Sequence, residues 1–506
     1  MLRVLGSTRN LCDGVSRRDM LRVGGLGMAG ASLPQLLQLQ AAAAAADVPR
    51  AKSFGKAKGI ILIHLYGSPS QLETFDPKPD APVEVRGQFG CIPSSLPGTN
   101  VCELLPQSAK VMDRVTTLRS MVHPYPIHGV AYATTGVPVI DVAMELSPRD
   151  PKHWPYFGSV VDYIETQRNA QKNKASQSKP SGIPQNIALP FPMSTKRVGE
   201  VPRAGPYAAF LGSQYNPVWT DFVGKGTKGH VKTLAAQTFT DNDPYIECTP
   251  DSYFTVPSAT TLQDDVTIDR LDTRRTLIQQ LDKARRDLQH TSAGESLDRY
   301  RSMTYAMLNS DKLRSALDVR KESTETRELY GQSMFGKSLL AARRLIESGT
   351  KVVSVFWDEY GLAGTAWDTH HDHFNRMKVE LCPSFDQGWY GLISDLDRRG
   401  MLDDTLVVLT SEHGRTPTIN KAKGGGRDHW SRAYSTVLAG AGIKRGAVVG
   451  ATDKHGGDVA RDPISPKDQL ATMYHLLGID PHTWIHDALG RPLPLVHGDV
   501  IQDALV

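Results

Sequence analysis

Short apolar runs recur along the chain and predict the strands of a sheet. Residues 59–66 form a continuous, largely β-branched run, which is typical of a central parallel strand buried on both faces. Similar runs predict further strands at residues 115–122, 351–357, 406–410 and 434–439.

Amphipathic segments between these runs predict helices. Apolar residues spaced by three and four indicate three or four helices over residues 263–350, which we interpret as an insertion or a cap. Longer helices are expected over residues 372–399 and 466–477, and a short one over 129–135. The polar stretch at 168–185 is typical of an exposed loop. Alternating strands and helices predict an α/β fold, with a mostly parallel central sheet flanked by helices.

The first 46 residues are typical of a twin-arginine signal peptide. Residues 16–22 read SRRDMLR, a weakly apolar stretch follows, and the small residues 41–46 suit cleavage near Asp47. The apolar stretch contains Pro34 and several Gln, so no membrane span is expected in the mature chain. We therefore expect a signal peptide at 1–46, one α/β domain at 47–506, and a periplasmic or otherwise exported protein.

The charge of the chain argues against a nucleic-acid partner. The net charge is +4 over 506 residues, and residues 1–46 hold five Arg against two Asp. The rest of the chain is therefore almost neutral. Neither nucleic acid nor an anionic membrane surface is expected as a partner.

The cysteines allow two interpretations. No Cys-x-x-Cys motif is present, so a thiolate zinc ribbon is not expected. Cys91 and Cys102 are close enough in sequence to form a disulfide in an oxidising compartment. Two buried thiols are the alternative.

Three acidic-histidine clusters lie in the last third of the chain. Residues 411–415 (SEHGR) follow a predicted strand directly, where open α/β sheets build their sites, and 426–430 (GRDHW) and 367–373 (WDTHHDH) are similar. Imidazole and carboxylate groups together suit divalent metals, here Zn, Mn, Fe or Ca. In a chain with 16 His, solvated surface pairs are the alternative. The candidate metal ligands are Asp368, His370, Asp372, Glu412, His413, Asp428 and His429.

Five segments together resemble one known family. They are residues 67–79, 123–129, 367–370, 411–417 and 426–430. They are similar to the family called domain of unknown function 1501 (DUF1501), a sulfatase-like family of the alkaline phosphatase superfamily. The resemblance spans about residues 55–490, and the twin-arginine leader is typical of the family.

The resemblance implies an alkaline-phosphatase-like fold and a metal-dependent hydrolase of sulfate or phosphate esters, on a small molecule or a polysaccharide. Glu412-His413 is similar to the superfamily's Asp-His ligand pair, and His429 to a further ligand. The chain departs from the pattern because no Asp follows the first strand and no Cys or Ser occupies the nucleophile position. The alternative is a non-catalytic protein of this fold that binds carbohydrate or a partner protein.

Three further side chains are catalytic candidates. His128 precedes a predicted helix where the superfamily's nucleophile is expected, so it is a candidate phospho-acceptor, general base or metal ligand, or a plain hydrogen-bonded histidine. Arg415 could clamp a sulfate or phosphate, because a guanidinium matches such oxyanions, or it could pair with a nearby carboxylate. Ser70 is a candidate nucleophile, with a turn-forming serine as the alternative.

Overall fold

The computed structural model places one compact unit over residues Gly55–Val506. The predicted signal peptide and residues 263–298 of the predicted insertion lie outside the described residues. The structure describes residues 51–128, 130–137, 147, 150, 152–173, 183–197, 203–234, 237–256, 299, 304, 307, 310–361, 364–487 and 489–506.

A central sheet organises the described residues. Its eight strands are β1 (Gly59–Leu65), β2 (Val115–Met121), β3 (Asn186–Leu189), β4 (Val218–Trp219), β5 (Val352–Trp357), β6 (Thr405–Thr410), β7 (Tyr434–Ala439) and β8 (Ala447–Val449). Their order is β8-β2-β7-β6-β1-β5-β3-β4, and only β7 runs antiparallel to its neighbours, β6 and β2. The predicted mostly parallel sheet is therefore confirmed.

The long apolar runs correspond closely to β1, β2, β5, β6 and β7. Strands β3, β4 and β8 were not predicted, because runs of two to four residues show no periodicity that a window can detect. All three lie at or near the edges of the sheet.

Helices cover the sheet. The described helices are α1 (Val83–Arg86), α2 (Val130–Thr135), α3 (Phe157–Asn173), α4 (Asp311–Leu317), α5 (Thr324–Tyr330), α6 (Met334–Ser348), α7 (His373–Arg376), α8 (Cys382–Arg398) and α9 (Pro466–Leu476). Helices α1 and α3 were not predicted, whereas the others lie within predicted helical segments. Residues 168–173 were expected in a loop because they are polar, but they continue α3, which starts with the buried apolar residues Phe157, Val160 and Val161.

The helix predicted over 372–399 is interrupted by a π-helical segment, Met377–Leu381, between α7 and α8. Pro383 has no N–H and so cannot make the usual bond four residues back. The Cys382 N–H instead donates to the Met377 carbonyl, five residues back. The wider turn keeps the helix continuous.

Alternate residues of β1 build two cores on opposite faces of the sheet. Ile61 and Ile63 pack into a core with α6 and α8, whereas Ile60 and Leu62 pack into a core with α3 and α9. A strand buried on both faces must be apolar throughout, as this one is apart from His64.

Short two-stranded antiparallel pairs lie outside the central sheet. They are Cys91–Pro93 with Asn100–Cys102, Asp221–Val223 with Tyr253–Thr255, Gly229–Leu234 with Gln237–Asn242, Gly414–Arg415 with His429–Trp430, Ala451–Thr452 with Val459–Arg461, and Trp484–His486 with Pro492–Pro494.

Within the described residues, none of the helices has the length and apolar character needed to cross a membrane.

Candidate metal centre

The carboxyl ends of three central strands meet at one edge of the sheet. Leu65 in β1 pairs with Trp357 in β5, and His64 pairs with Thr410 in β6, so the three strands end almost level. Chain segments that follow parallel strands converge at this edge. The residues after β6 begin with Ser411-Glu412-His413, as expected from the sequence.

A tight turn after β1 joins these segments. Gly67 has φ +90°, and a Cβ there would lie 2.3 Å from the backbone nitrogen of Asp368, so only glycine fits. Its N–H donates to Glu412 Oε1 at 2.7 Å. The next residue, Ser68, also has a positive φ, and its hydroxyl accepts from the His413 N–H at 3.1 Å. The turn therefore fixes the Glu412-His413 pair against Asp368.

Four side chains form a set that we call the Asp368 group: His128, Asp368, His370 and His429. Each offers one ligand atom, and these atoms all lie within 4.8 Å of one another. His370 Nε2 lies 3.0 Å from both His429 Nε2 and Asp368 Oδ1, and His429 Nε2 lies 3.4 Å from the same oxygen. Ligands placed tetrahedrally about 2.0–2.1 Å from zinc lie about 3.3 Å apart, so these separations suit a shared cation.

The Nδ1 atoms of His370 and His429 each have a hydrogen-bond partner outside the Asp368 group. His370 Nδ1 lies 2.7 Å from Asp428 Oδ1, and His429 Nδ1 lies 3.3 Å from the Pro126 carbonyl. A carbonyl can only accept, so Nδ1 of His429 carries the proton and its Nε2 presents a lone pair. A metal-binding histidine is held in the same way.

His413 presents the same arrangement in a fully buried position. Its Nδ1 donates to the Gly414 carbonyl at 2.8 Å, and its Nε2 has no hydrogen-bond partner. Burial, aided by nearby Arg415, holds the pKa of His413 well below its usual range, so the ring is neutral. An unpartnered buried nitrogen is costly unless a ligand satisfies it.

His128 connects the Asp368 group to a second set, the Glu412 group, formed by His128, Glu412 and His413. Its Nε2 lies 3.1 Å from Asp368 Oδ2, and its Nδ1 lies 3.1 Å from Glu412 Oε1. Burial alone would lower the pKa of His128, but hydrogen bonds to both carboxylates raise it to about 9. His128 is therefore protonated at neutral pH, and its ring stacks on Tyr66.

Arg415 lies beneath the Asp368 group and is fully buried. Its guanidinium donates to Asp368 Oδ1 at 2.6 Å and to the carbonyls of Gly67, Ser68 and Arg427. Burial opposes ionisation of Asp368, yet Arg415 and the neighbouring histidines hold its pKa well below its usual range. The structure thus places Arg415 as the internal partner of Asp368.

The other predicted residues lie outside both groups. Asp428 is about half exposed and contacts the centre only through His370. Asp372, with φ +50°, accepts from Asn375 at 3.0 Å. The Ser70 hydroxyl is buried and accepts from the Leu72 N–H at 3.3 Å.

Sequence reasoning did not predict the ion pairs of a buried layer behind the centre. His64 Nε2 lies 3.2 Å from Glu412 Oε2, and Glu73 pairs with Arg427 at 2.5 Å and with His373 at 3.3 Å. For His64 a signal existed, since it is a charged or polar residue within an otherwise apolar strand. Such positions are often functional or paired.

The chain belongs to the family described as Protein of unknown function (DUF1501), which matches residues 57–505. The family membership expected from the motifs is therefore confirmed. Among curated proteins, none matches the chain.

Several solved structures are similar to the chain at low identity. Ps i-CgsB is 10% identical with a TM-score of 0.34, over 83% of this chain and 72% of that one. The PsFucS1 sulfatase from Pseudoalteromonas sp. is 10% identical with a TM-score of 0.35, over 83% and 68%. The phosphonate monoester hydrolase SpPMH from Silicibacter pomeroyi is 10% identical with a TM-score of 0.34, over 88% and 76%. TM-scores this low place no constraint on the chemistry of the site.

Proposed function

We propose that this protein is a metal-dependent hydrolase of sulfate or phosphate esters. The observation that carries the proposal is the convergence of His370, His429 and Asp368, whose ligand atoms lie 3.0–3.4 Å apart. We infer that these three residues hold a divalent cation, with His413 and His128 beside them.

The donor set fits such a cation. Two neutral imidazole nitrogens facing each other at 3.0 Å repel unless a proton or a metal lies between them. Hydrogen bonding to Asp368 raises the pKa of His370, whereas burial lowers that of His429, so one proton can serve this role. A metal would replace that proton, since its ligands bind deprotonated. Mixed imidazole and carboxylate ligands favour Zn, Mn or Fe over Ca, which prefers oxygen.

Individual side chains would supply the other catalytic functions. A bound metal would polarise an ester oxygen and lower the pKa of a bound water. His128, protonated at neutral pH and partly exposed, can give its Nε2 proton to a leaving-group oxygen. Arg415 keeps Asp368 ionised, and Asp428 keeps the ring of His370 oriented.

A second candidate is a non-catalytic protein that binds carbohydrate or a partner protein. One observation favours it: among the described residues, no hydroxyl or thiol hydrogen-bonds to Asp368, His370 or His429. The Ser68 hydroxyl bonds to the backbone of His413 instead. A hydrolase built this way would need water as its nucleophile.

The substrate class and the location of the protein are part of the proposal. The partly exposed side chains of His128, His370 and His429 leave the centre accessible to the ester end of a small molecule or a polysaccharide. The twin-arginine pattern at residues 16–22 supports export to the periplasm or beyond. That pathway suits a protein that binds its metal before export.

Metal content and ester hydrolysis, measured together, test the proposal. The chain from Asp47 is purified without chelator, beside the double variant His413→Ala, His429→Ala and the matched exposed pair His482→Ala, His486→Ala. We expect roughly one or two metal equivalents in the wild type and the exposed-pair variant, and hydrolysis of 4-nitrophenyl sulfate or phosphate by both. The centre variant should lose both properties.

Other outcomes separate the two candidates. Bound metal without hydrolysis of any ester tested would favour the non-catalytic binder. A folded wild-type protein without metal would overturn the metal centre itself.

A further inference from the structure

Two cysteines face each other across the first hairpin of the chain. Cys91 is directly opposite Cys102 in an antiparallel register. The adjacent backbone bond runs from the Glu103 N–H to the Gly90 carbonyl at 3.0 Å. Hydrogen-bonded and non-hydrogen-bonded residue pairs alternate along an antiparallel pair of strands. Since Gly90 and Glu103 form a hydrogen-bonded pair, Cys91 and Cys102 form a non-hydrogen-bonded pair, with side chains on the same face.

We propose that Cys91 and Cys102 form a cross-strand disulfide. Cα atoms of a non-hydrogen-bonded antiparallel pair lie about 4.5 Å apart, within the range of about 4.4–6.8 Å that disulfides span. Both thiols are free in the structure, and their side chains already share one face of the hairpin. The bond therefore forms without moving the backbone.

The oxidant is a low-molecular-weight disulfide, and two exchange steps complete the reaction. The thiolate of Cys91, which is partly exposed, attacks one sulfur of the oxidant and expels the first thiolate. The thiolate of Cys102 then attacks the Cys91 sulfur and expels the second. Two protein thiols are oxidised, and one disulfide is reduced to two thiols.

A third cysteine is the natural competitor. Cys382, the first residue of α8, is buried; burial first, and the nearby Cys102 thiol after it, raise its pKa well above the usual range. It is not opposite either cysteine in a strand pair. Register therefore favours Cys91 as the partner of Cys102.

The bond would cross-link a hairpin that is already hydrogen-bonded to the layer behind the candidate metal centre. The Cys102 N–H donates to the Thr74 carbonyl at 2.9 Å, and Thr74 follows Glu73, the buried partner of Arg427. Closing the loop between the two cysteines restricts the unfolded chain. We expect the oxidised protein to unfold at a higher temperature than the reduced protein.

Peptide mapping tests the pairing without any variant. The protein from Asp47 is treated with oxidised glutathione at mildly alkaline pH, because burial raises the pKa of Cys102 to about 12 and slows the second step at neutral pH. Free thiols are then alkylated, and the protein is unfolded and digested with trypsin without reduction. No Lys or Arg separates the two cysteines, so both fall in the peptide 87–110, whereas Cys382 falls in 379–398.

The expected result is a peptide 87–110 that is not alkylated and has lost two hydrogens. An alkylated peptide, or one cross-linked to 379–398 or to another cysteine peptide, would overturn the proposal. As a matched pair, Cys91→Ser should abolish the difference in melting temperature between oxidised and reduced protein, and Cys382→Ser should preserve it.

Discussion

Replacing Asp428 with Ala should weaken metal binding although Asp428 does not touch the metal. Its Oδ1 lies 2.7 Å from His370 Nδ1, and this contact orients the ring so that Nε2 faces His429 and Asp368. Loss of such an outer partner typically costs a factor of about 10–100 in metal affinity.

The magnitude should fall near the lower end of that range. The Asp428 side chain is 54% exposed, so water screens its charge and replaces part of the lost hydrogen bond. We therefore expect Kd for zinc to rise about tenfold, which is about 1.4 kcal/mol. Stability of the metal-free protein should change little.

Competition with a chromophoric chelator measures this change. The matched control is Asp458→Ala, which removes a carboxylate of similar exposure, 49%, that pairs with Arg432 away from the centre. Its zinc affinity should equal that of the wild type. Equal zinc affinities for all three proteins would show that His370 does not bind a metal in the orientation set by Asp428.

Three further predictions concern stability. Glu73→Gln should lower the free energy of unfolding at neutral pH by about 3–5 kcal/mol in urea titrations, because Arg427 would keep a buried charge without its carboxylate partner. The exposed control Glu84→Gln should change the free energy of unfolding by less than about 0.5 kcal/mol. Burial opposes ionisation of Glu73, but Arg427 lowers the pKa of Glu73 from 4.5 to about 2. The contribution of the ionised Glu73 to the free energy of unfolding should therefore be complete above pH 4.5 and disappear as the pH falls toward 2. A difference in unfolding free energy between wild type and Glu73→Gln that stays constant over that interval would contradict the pairing. Zinc at a hundredfold excess over Kd should stabilise the wild type by about 2.7 kcal/mol in thermal unfolding and leave the stability of the His413→Ala, His429→Ala variant unchanged. Equal stabilisation of both proteins would place the metal elsewhere.

The framework of the fold could be predicted because its central strands are buried on both faces. Such strands need apolar side chains at most positions, so β1, β5 and β6 are visible as nearly continuous apolar runs. The C-terminal residues of α3 are polar in sequence, so they gave no amphipathic signal for a helix.

The sequence identified several side chains that converge in the candidate site, but not the groups that orient them. His370, His413 and His429 follow from acidic-histidine pairs near strand ends, which is a local pattern. The carbonyl of Pro126 that orients His429 has no sequence signature. Asp372 belongs to the same local pattern, yet its backbone conformation directs it to Asn375.

Long-range pairs were also beyond a local pattern. Glu73 and Arg427 are 354 positions apart in sequence, and only the meeting of the loop after β1 with the loop after β6 brings them together. Single-sequence periodicity carries no information about such contacts. His64, by contrast, could have been noticed as the polar exception in β1.

We propose that Asp368, His370 and His429 hold one divalent cation. Anomalous diffraction at the zinc absorption edge, from crystals of the protein grown with zinc, is the decisive test. We expect a peak about 2.0–2.2 Å from Asp368 Oδ1, His370 Nε2 and His429 Nε2. A well-ordered centre without a peak, or a peak bound only by other residues, would contradict it.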